Sequence, residues 1–106
     1  MTEIQKGSGN VYRDLQTTDA EAMYVKARLA SKIGEIISQR HLTQQQAANI
    51  LGIPQPKLSG LLRGQFRGIS EAKMIACLNH LGSDVDIVVR QTRQNFSKGQ
   101  TQVTFA

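Results

Sequence analysis

Tryptophan is absent from this 106-residue chain, and tyrosine and phenylalanine together contribute only five side chains. Because proteins that bind single-stranded nucleic acid stack the bases on exposed aromatic rings, this scarcity argues against such a platform. The single cysteine, Cys77, excludes an intramolecular disulfide and suits a reducing compartment. No run approaches the ~20 apolar residues of a membrane span, and no signal peptide is apparent. We therefore expect a cytoplasmic protein with no membrane partner.

Catalytic and metal-binding constellations are also scarce. Cys77 and His80 lie three residues apart on one predicted helix, but a zinc site needs more ligands with convergent spacing. A cysteine–histidine nucleophile needs a group that orients the pair, and none is apparent. The sequence Gly7-Ser8-Gly9 lacks the preceding strand and the following lysine of a phosphate-binding loop. We therefore expect no enzymatic activity, no metal and no cofactor, and we interpret Cys77 as a buried free thiol.

Basic residues concentrate in the middle of the chain. Residues 22–64 contain six basic residues and one acidic residue, whereas residues 1–21 carry a net charge of −2 and residues 65–106 a net charge of +2. A basic face of this kind fits a polyanion, and double-stranded DNA is the polyanion that we favour. On charge alone, a solvated basic surface without a partner is an equal alternative.

The pattern of polar and apolar residues divides the chain into a flexible N-terminal arm (residues 1–20), a helical domain (21–82) and a C-terminal strand and tail (83–106). The arm is polar and contains several turn-forming residues, which favour irregular structure. From about Ala20 to Arg40 the apolar residues recur at helical spacing, and Asp19 is a suitable N-cap. This apolar stripe consists of Val25, Leu29, Ile33, Ile36 and Ile37.

Three shorter helices are predicted after this one. Thr43 and Gln46 have the spacing of a capping box, and Gly52 is placed to end the helix that the box begins. Pro54 is tolerated in the first turn of the next helix, and Ser70 is a suitable cap for the last. The three predicted helices span Gln44–Leu51, Pro54–Arg63 and Glu71–Leu81.

The segment Asp84–Arg90 alternates apolar and polar residues, with Val88 breaking the pattern, and this alternation is typical of a half-buried strand. Val85, Ile87 and Val89 share its apolar face. Because a lone strand leaves its backbone groups unpaired, it needs a partner. A second short strand at Gln102–Phe105 is one candidate. We favour the same strand of a second chain, so that these three residues form a homodimer interface.

The stretch from Thr43 to Gly64 reads TQQQAANILGIPQPKLSGLLRG and meets the requirements of a helix-turn-helix. Ala48 is small where two helices cross, Gly52 permits a tight turn, and Leu58 supplies an apolar contact on the second helix. The stretch resembles the XRE (phage-repressor-like) helix-turn-helix family. This resemblance implies a mainly all-α, lambda-repressor-like domain of four to five helices with a short C-terminal β-strand.

A wider resemblance, over residues 9–90, is to XRE-family antitoxins of the HigA type. It rests on GNVYRDL at residues 9–15, on the helix through Lys26 to Ala30, and on LNHLGSDVDIVVR at residues 78–90. The resemblance implies a sequence-specific transcriptional regulator that represses its own toxin–antitoxin operon and neutralises a RelE-like ribonuclease by direct contact.

We assign the toxin contact to the acidic arm, through Tyr12 and Leu15, because an acidic amphipathic segment suits a basic nuclease surface. Two alternatives stay open. One is a stand-alone or phage-type repressor without a toxin, and the other is a module whose main role is to neutralise a protein. A neighbouring toxin gene, or its absence, discriminates between them.

The resemblance to the XRE family also places DNA contacts on individual residues. Gln44 matches the position that hydrogen-bonds a phosphate, and a helix N-terminus favours an anion there. Gln55, Pro56 and Lys57 match the start of the recognition helix, whose first residues face base edges. In a homodimer, the two recognition helices would meet successive major grooves ~34 Å apart on a near-palindromic operator.

The chemistry of these side chains indicates what each can bind. Gln55 can pair with adenine and Lys57 with guanine or a phosphate, whereas Pro56 can only touch a thymine methyl. Ser59 lies one turn further on and can reach a base or a phosphate. For Gln44, Gln55 and Ser59 taken singly, an ordinary exposed polar residue is an equally good interpretation. The basic residues better placed for phosphates are Arg63 and Arg67.

Two positions depart from the XRE pattern. Pro54 stands where relatives often have a serine or threonine cap, so the hydroxyl is missing. Gly60 stands where a longer polar side chain is common, which weakens that position as a reader of bases and loosens the helix by up to ~1 kcal/mol relative to alanine. Both departures affect individual base contacts and not the motif itself.

Overall fold

A computed structural model describes the backbone of residues 9–92 and 98–106, and the side chains of residues 19–92 and 98–106. Within these ranges the chain forms four α-helices, as the sequence predicted. They are α1 (Gly9–Gln39), α2 (Gln44–Leu51), α3 (Gln55–Leu62) and α4 (Glu71–His80). None of these four helices is both long enough and apolar enough to cross a membrane.

The first helix begins earlier than predicted. Because α1 starts at Gly9, the expectation of an irregular arm is wrong for residues 9–19, while residues 1–8 lie outside the described part of the chain. Asp19 lies inside α1 and is therefore not an N-cap. The physical reason is that nucleation is the costly step of helix formation, so a helix established over the apolar stripe extends easily through residues of modest propensity.

The turn between α2 and α3 follows the prediction closely. The Gln46 N–H donates to the Thr43 hydroxyl at 3.1 Å, and the Thr43 N–H donates to the Gln46 side-chain oxygen at 2.9 Å, which completes the capping box. Gly52 ends α2 with φ 70° and ψ 31°, the left-handed conformation that glycine adopts without strain. Pro54 caps α3 without a side-chain hydrogen bond, and α3 ends at Leu62, slightly before the predicted Arg63.

The core lies between α1 and the three shorter helices. The predicted stripe on α1 is buried, and α4 packs mainly against α1. Ile33 of α1, Leu58 of α3 and Met74 of α4 are fully buried, and burial of one such side chain contributes about 1.5–3 kcal/mol. Ala47 and Ala48 are also buried, so the small residues of α2 allow α3 to pack closely. The core thereby holds α2 and α3 with their N-terminal ends exposed.

The predicted C-terminal strand is not confirmed. Among residues 83–92 and 98–106 the backbone forms no strand, and Gln102–Phe105 does not pair with Asp84–Arg90. A pattern of period two determines which side chains share a face, but a strand also requires a partner for its backbone groups. The alternating pattern therefore predicted a strand in a segment that has no strand to pair with among the described residues.

Side chains of α1 hold the end of the chain in place of a β-ladder. The guanidinium of Arg28 donates through Nη2 to the carbonyl of Val103 at 3.2 Å, and it lies 4.6 Å from the centre of the Phe105 ring. The ammonium of Lys32 lies 5.2 Å from the same ring centre. Val103 is half-buried against the core. The last residues are thus anchored by a hydrogen bond, apolar contact and cation–π interactions.

Candidate nucleic-acid interface

The N-terminal ends of α2 and α3 are joined by two glutamine side chains. Gln55 donates through Nε2 to the side-chain oxygen of Gln44 at 2.8 Å, across eleven residues of sequence. Gln44 is exposed and Gln55 is half-exposed. The capping box and Gly52 fix the two helices that carry them, so the fold brings together the predicted phosphate contact and the predicted base contact. The pair presents amide donors and acceptors at one exposed edge.

The first turn of α3 is open to solvent beside this pair. Pro56 and Lys57 are exposed, whereas Leu58 points into the core and is fully buried. Leu58 therefore fixes the rotation of α3 about its axis. That rotation places Gln55, Pro56 and Lys57 on the outer side, which is the arrangement that a recognition helix needs at its N-terminus.

The far end of α3 carries the next two predicted contacts. Arg63 is exposed and donates through Nη1 to the hydroxyl of Ser59, which is half-exposed. The two residues are one helical turn apart, so their side chains lie on the same face. The structure thus joins Ser59 and Arg63 into one unit.

Comparisons with known proteins agree with this geometry. No match is found among curated protein sequences. The chain matches the family described as "Helix-turn-helix domain" over residues 11–90. A solved structure described as an XRE-family transcriptional regulator is 36% identical, with a TM-score of 0.78, and the match covers 83% of this chain and 99% of that chain. The chain belongs to the XRE family.

This XRE-family protein is therefore a DNA-binding helix-turn-helix transcriptional regulator. In a helix-turn-helix, the N-terminal part of the second helix is the part that approaches the bases of DNA. The exposed N-terminal ends of α2 and α3 are therefore the candidate DNA-binding surface of this protein.

Arg67 does not join the other predicted DNA contacts through any hydrogen bond in the described residues. Its guanidinium pairs with the carboxylate of Asp19 on α1 at 2.9 Å, and its carbonyl accepts from Lys26 at 3.0 Å. Both partners of the ion pair are largely exposed, so the pair contributes at most about 1 kcal/mol. Arg67 of this XRE-family regulator thus ties the loop between α3 and α4 to α1, and a phosphate would have to compete with Asp19.

Sequence reasoning missed two features of the interface. Gln45 donates through Nε2 to the side-chain oxygen of Asn49 at 3.1 Å, along the exposed face of α2. Gln65, just beyond α3, accepts from Arg63. The i, i+4 spacing of Gln45 and Asn49 could have indicated the first contact. No sequence signal marks the second, because it depends on how the chain turns after Gly64.

The cysteine of this XRE-family regulator is buried, as predicted. Cys77 is a free thiol on the core side of α4, and burial raises its pKa above the usual range, with a smaller opposing effect of Lys73. A protonated, buried thiol is a poor nucleophile. Within the described residues, no cluster of three or more metal-ligating side chains forms.

The three residues predicted for the dimer interface differ in their exposure. Val85 is half-buried against the core of its own chain. Ile87 is 77% exposed and Val89 is 92% exposed, and the neighbouring Val88 is also exposed. Ile87, Val88 and Val89 thus form a continuous stretch of exposed apolar residues beside the half-buried Val85.

Proposed function

We propose that this XRE-family regulator recognises a specific operator by inserting α3 into the major groove. The hydrogen bond between Gln44 and Gln55 carries this proposal. Because the two amides are already paired, Gln44 can bind a phosphate while it orients Gln55 towards a base edge. Lys57 adds a positive charge beside them. The protein then acts by binding alone, without an enzymatic step.

A titration against the protein's own upstream DNA tests this proposal. Fluorescence anisotropy at two salt concentrations compares the native chain with a Gln55→Ala/Lys57→Ala variant. A matched Gln39→Ala/Lys98→Ala variant removes the same chemical groups from α1 and from the C-terminal segment. We expect the first variant to lose specific binding and the control to keep it. Weak, salt-sensitive binding that is equal for all three proteins would contradict sequence-specific recognition.

We propose that the regulator binds its operator as a homodimer. The exposed apolar residues Ile87 and Val89 support this, because a second copy can bury them and pair the backbone groups beside them. A near-palindromic operator would then match the two-fold symmetry of the dimer.

Sedimentation equilibrium tests the dimer. We expect Val89→Lys to yield monomers at concentrations where the native chain is dimeric. Thr92→Lys, which adds the same charge at an exposed site in the same segment, should leave the dimer intact. A monomeric native chain, or equal effects of the two substitutions, would contradict the proposed interface.

The resemblance to HigA-type antitoxins supports a further proposal, that the regulator represses its own operon and neutralises a RelE-like ribonuclease. Residues 11–90, which match the family, include Tyr12 and Leu15 on the N-terminal part of α1. Co-purification with a small protein encoded next to this gene tests the proposal, with Tyr12→Ala/Leu15→Ala as the variant. We expect the variant to lose the partner and keep DNA binding. If no such gene adjoins this one, a stand-alone repressor is the better interpretation.

A further inference from the structure

Gln65 folds back onto the last turn of α3. Its backbone N–H donates to the carbonyl of Gly60 at 2.7 Å. A Cβ on residue 60 would lie 3.3 Å from the Gln65 side-chain oxygen, which is tighter than ordinary van der Waals contact. Gly60 is buried for this reason. Gly60 has no side chain to contact a base, but its lack of a Cβ leaves space for the side chain of Gln65 beside the last turn of α3.

Arg63 lies between two acceptors on this surface. Its Nη1 donates to the hydroxyl oxygen of Ser59, and its Nη2 donates to the side-chain oxygen of Gln65 at 3.4 Å. A guanidinium is planar and only donates, so two acceptors on different nitrogens restrict its orientation. The three side chains form one continuous chain of hydrogen bonds along α3 and the loop that follows it.

This arrangement affects what Ser59 can offer to DNA. A free hydroxyl can either donate or accept, so alone it distinguishes poorly between base edges. When the Ser59 oxygen accepts from the cationic Arg63, one of its two lone pairs is occupied and its own hydrogen turns away from the guanidinium. The adjacent positive charge then favours an electron-rich acceptor over a second donor beside this hydroxyl. In the major groove, guanine N7 and O6 and thymine O4 accept, whereas the amino groups of adenine and cytosine donate.

We propose that Gln65 is a positioning residue that holds Arg63 against Ser59, so that Ser59 acts as a donor and selects an acceptor edge in the operator. This inference rests on the proposed entry of α3 into the major groove. It gives Gln65 a part in specificity although Gln65 itself touches no base.

The variant Gln65→Met tests this role, because methionine has a similar length but lacks the amide acceptor. Anisotropy titrations use the native upstream duplex and a set of duplexes in which each base pair of one half-site is exchanged. We expect Ser59→Ala to abolish the preference at one position of the half-site. Gln65→Met should reduce the preference at that same position by about 3- to 10-fold, because the loss of one hydrogen bond typically changes an equilibrium constant by this factor. In the double variant, Gln65→Met should add nothing.

Two further readouts separate positioning from a structural role. Gln65→Met should leave the thermal midpoint and the affinity for unrelated duplex unchanged, and Gln39→Ala should match the native chain throughout. An equal loss of affinity for every duplex in Gln65→Met would overturn the inference, as would an unchanged preference at the Ser59 position. If the native chain itself showed no preference among duplexes, the proposed operator recognition would fail instead.

Discussion

The helix-turn-helix and the C-terminal segment (residues 83–106) both carry clear apolar patterns, but only the helix-turn-helix has fully buried apolar side chains among the described residues. Leu58 of α3 is fully buried, whereas Val89 is almost fully exposed. The apolar residues of α2 and α3 meet α1 and α4 within the same chain. Their backbone groups pair within each helix or, at the ends of α2, with the capping residues Thr43 and Gly52.

In residues 84–90 only Val85 packs against the core, where it is half-buried, and Ile87 and Val89 are exposed among the described residues. An amphipathic helix forms most of its backbone hydrogen bonds internally and needs an apolar surface to pack against. A strand also needs a second strand to pair with its backbone N–H and C=O groups.

Truncation of one apolar side chain in each region tests this contrast most strongly. We expect Leu58→Ala to lower the free energy of unfolding by about 2–5 kcal/mol, because it leaves a cavity in the core. Val89→Ala should change it by no more than about 0.5 kcal/mol in the monomer. Urea denaturation at low protein concentration measures both. A comparable loss in Val89→Ala would mean that residues 84–90 are packed within the chain.

Substitution of a glycine in each region gives the next largest effect. Gly52→Ala forces a Cβ into the left-handed conformation and should cost about 1–2 kcal/mol. Gly99→Ala meets no neighbouring atom of the described residues and needs no positive φ, so its effect should be small or slightly stabilising. Thermal unfolding by circular dichroism compares the two. If Gly52→Ala were as stable as the native chain, the turn between α2 and α3 would not depend on glycine.

Removal of the capping hydroxyl of Thr43 tests how much one hydrogen bond contributes to the stability of the helix-turn-helix. Thr43→Ala should destabilise the protein by about 1 kcal/mol, since the Gln46 N–H loses its acceptor. Thr43→Ser retains the hydroxyl and should restore most of this loss. Thr104→Ala in the exposed tail is the matched control, with a change within about 0.5 kcal/mol. Equal midpoints for Thr43→Ala and Thr104→Ala would argue against a stabilising role for the cap.

The smallest expected effect concerns the contact between the C-terminal segment and α1, on which the helix-turn-helix packs. Phe105→Ala removes the ring that lies over Arg28 and should cost about 0.5–1 kcal/mol. Phe105→Leu keeps apolar volume and isolates the contribution of the aromatic ring. Differential scanning calorimetry at two protein concentrations measures the change. A loss that depended strongly on concentration would indicate that Phe105 contacts a second chain instead of its own α1.

Much of the helix-turn-helix could be predicted because its signals are local. Thr43, Gln46 and Gly52 act on residues within one turn of themselves, so their spacing alone predicts the helix ends. The same applies to Ser70, whose hydroxyl accepts from the N–H of Lys73 at 3.0 Å as a cap does. The N-terminal extension of α1 escaped prediction because weak breakers do not oppose a helix that has already nucleated.

The candidate interface was predictable in its residue types but not in its pairings. The sequence predicts Gln44 and Gln55 as separate DNA contacts, but only the packing of α3 on α2 shows that the two side chains are joined. Arg67 and Gln65 show the same limit. Their partners depend on the path of the loop after α3, which no periodic pattern encodes.

Local sequence signals are sufficient to predict the buried stripe of α1, the capped helix α2, the turn at Gly52 and the identity of the exposed polar residues on α3. These follow from interactions between residues that are close along the chain. The packing of the helices, in contrast, brings Gln55 to Gln44, Arg67 to Asp19, and Arg28 to the C-terminal segment. Those contacts join residues separated by 11, 48 and 75 positions. They form because core packing sets the distances between helices, and a linear pattern does not contain those distances.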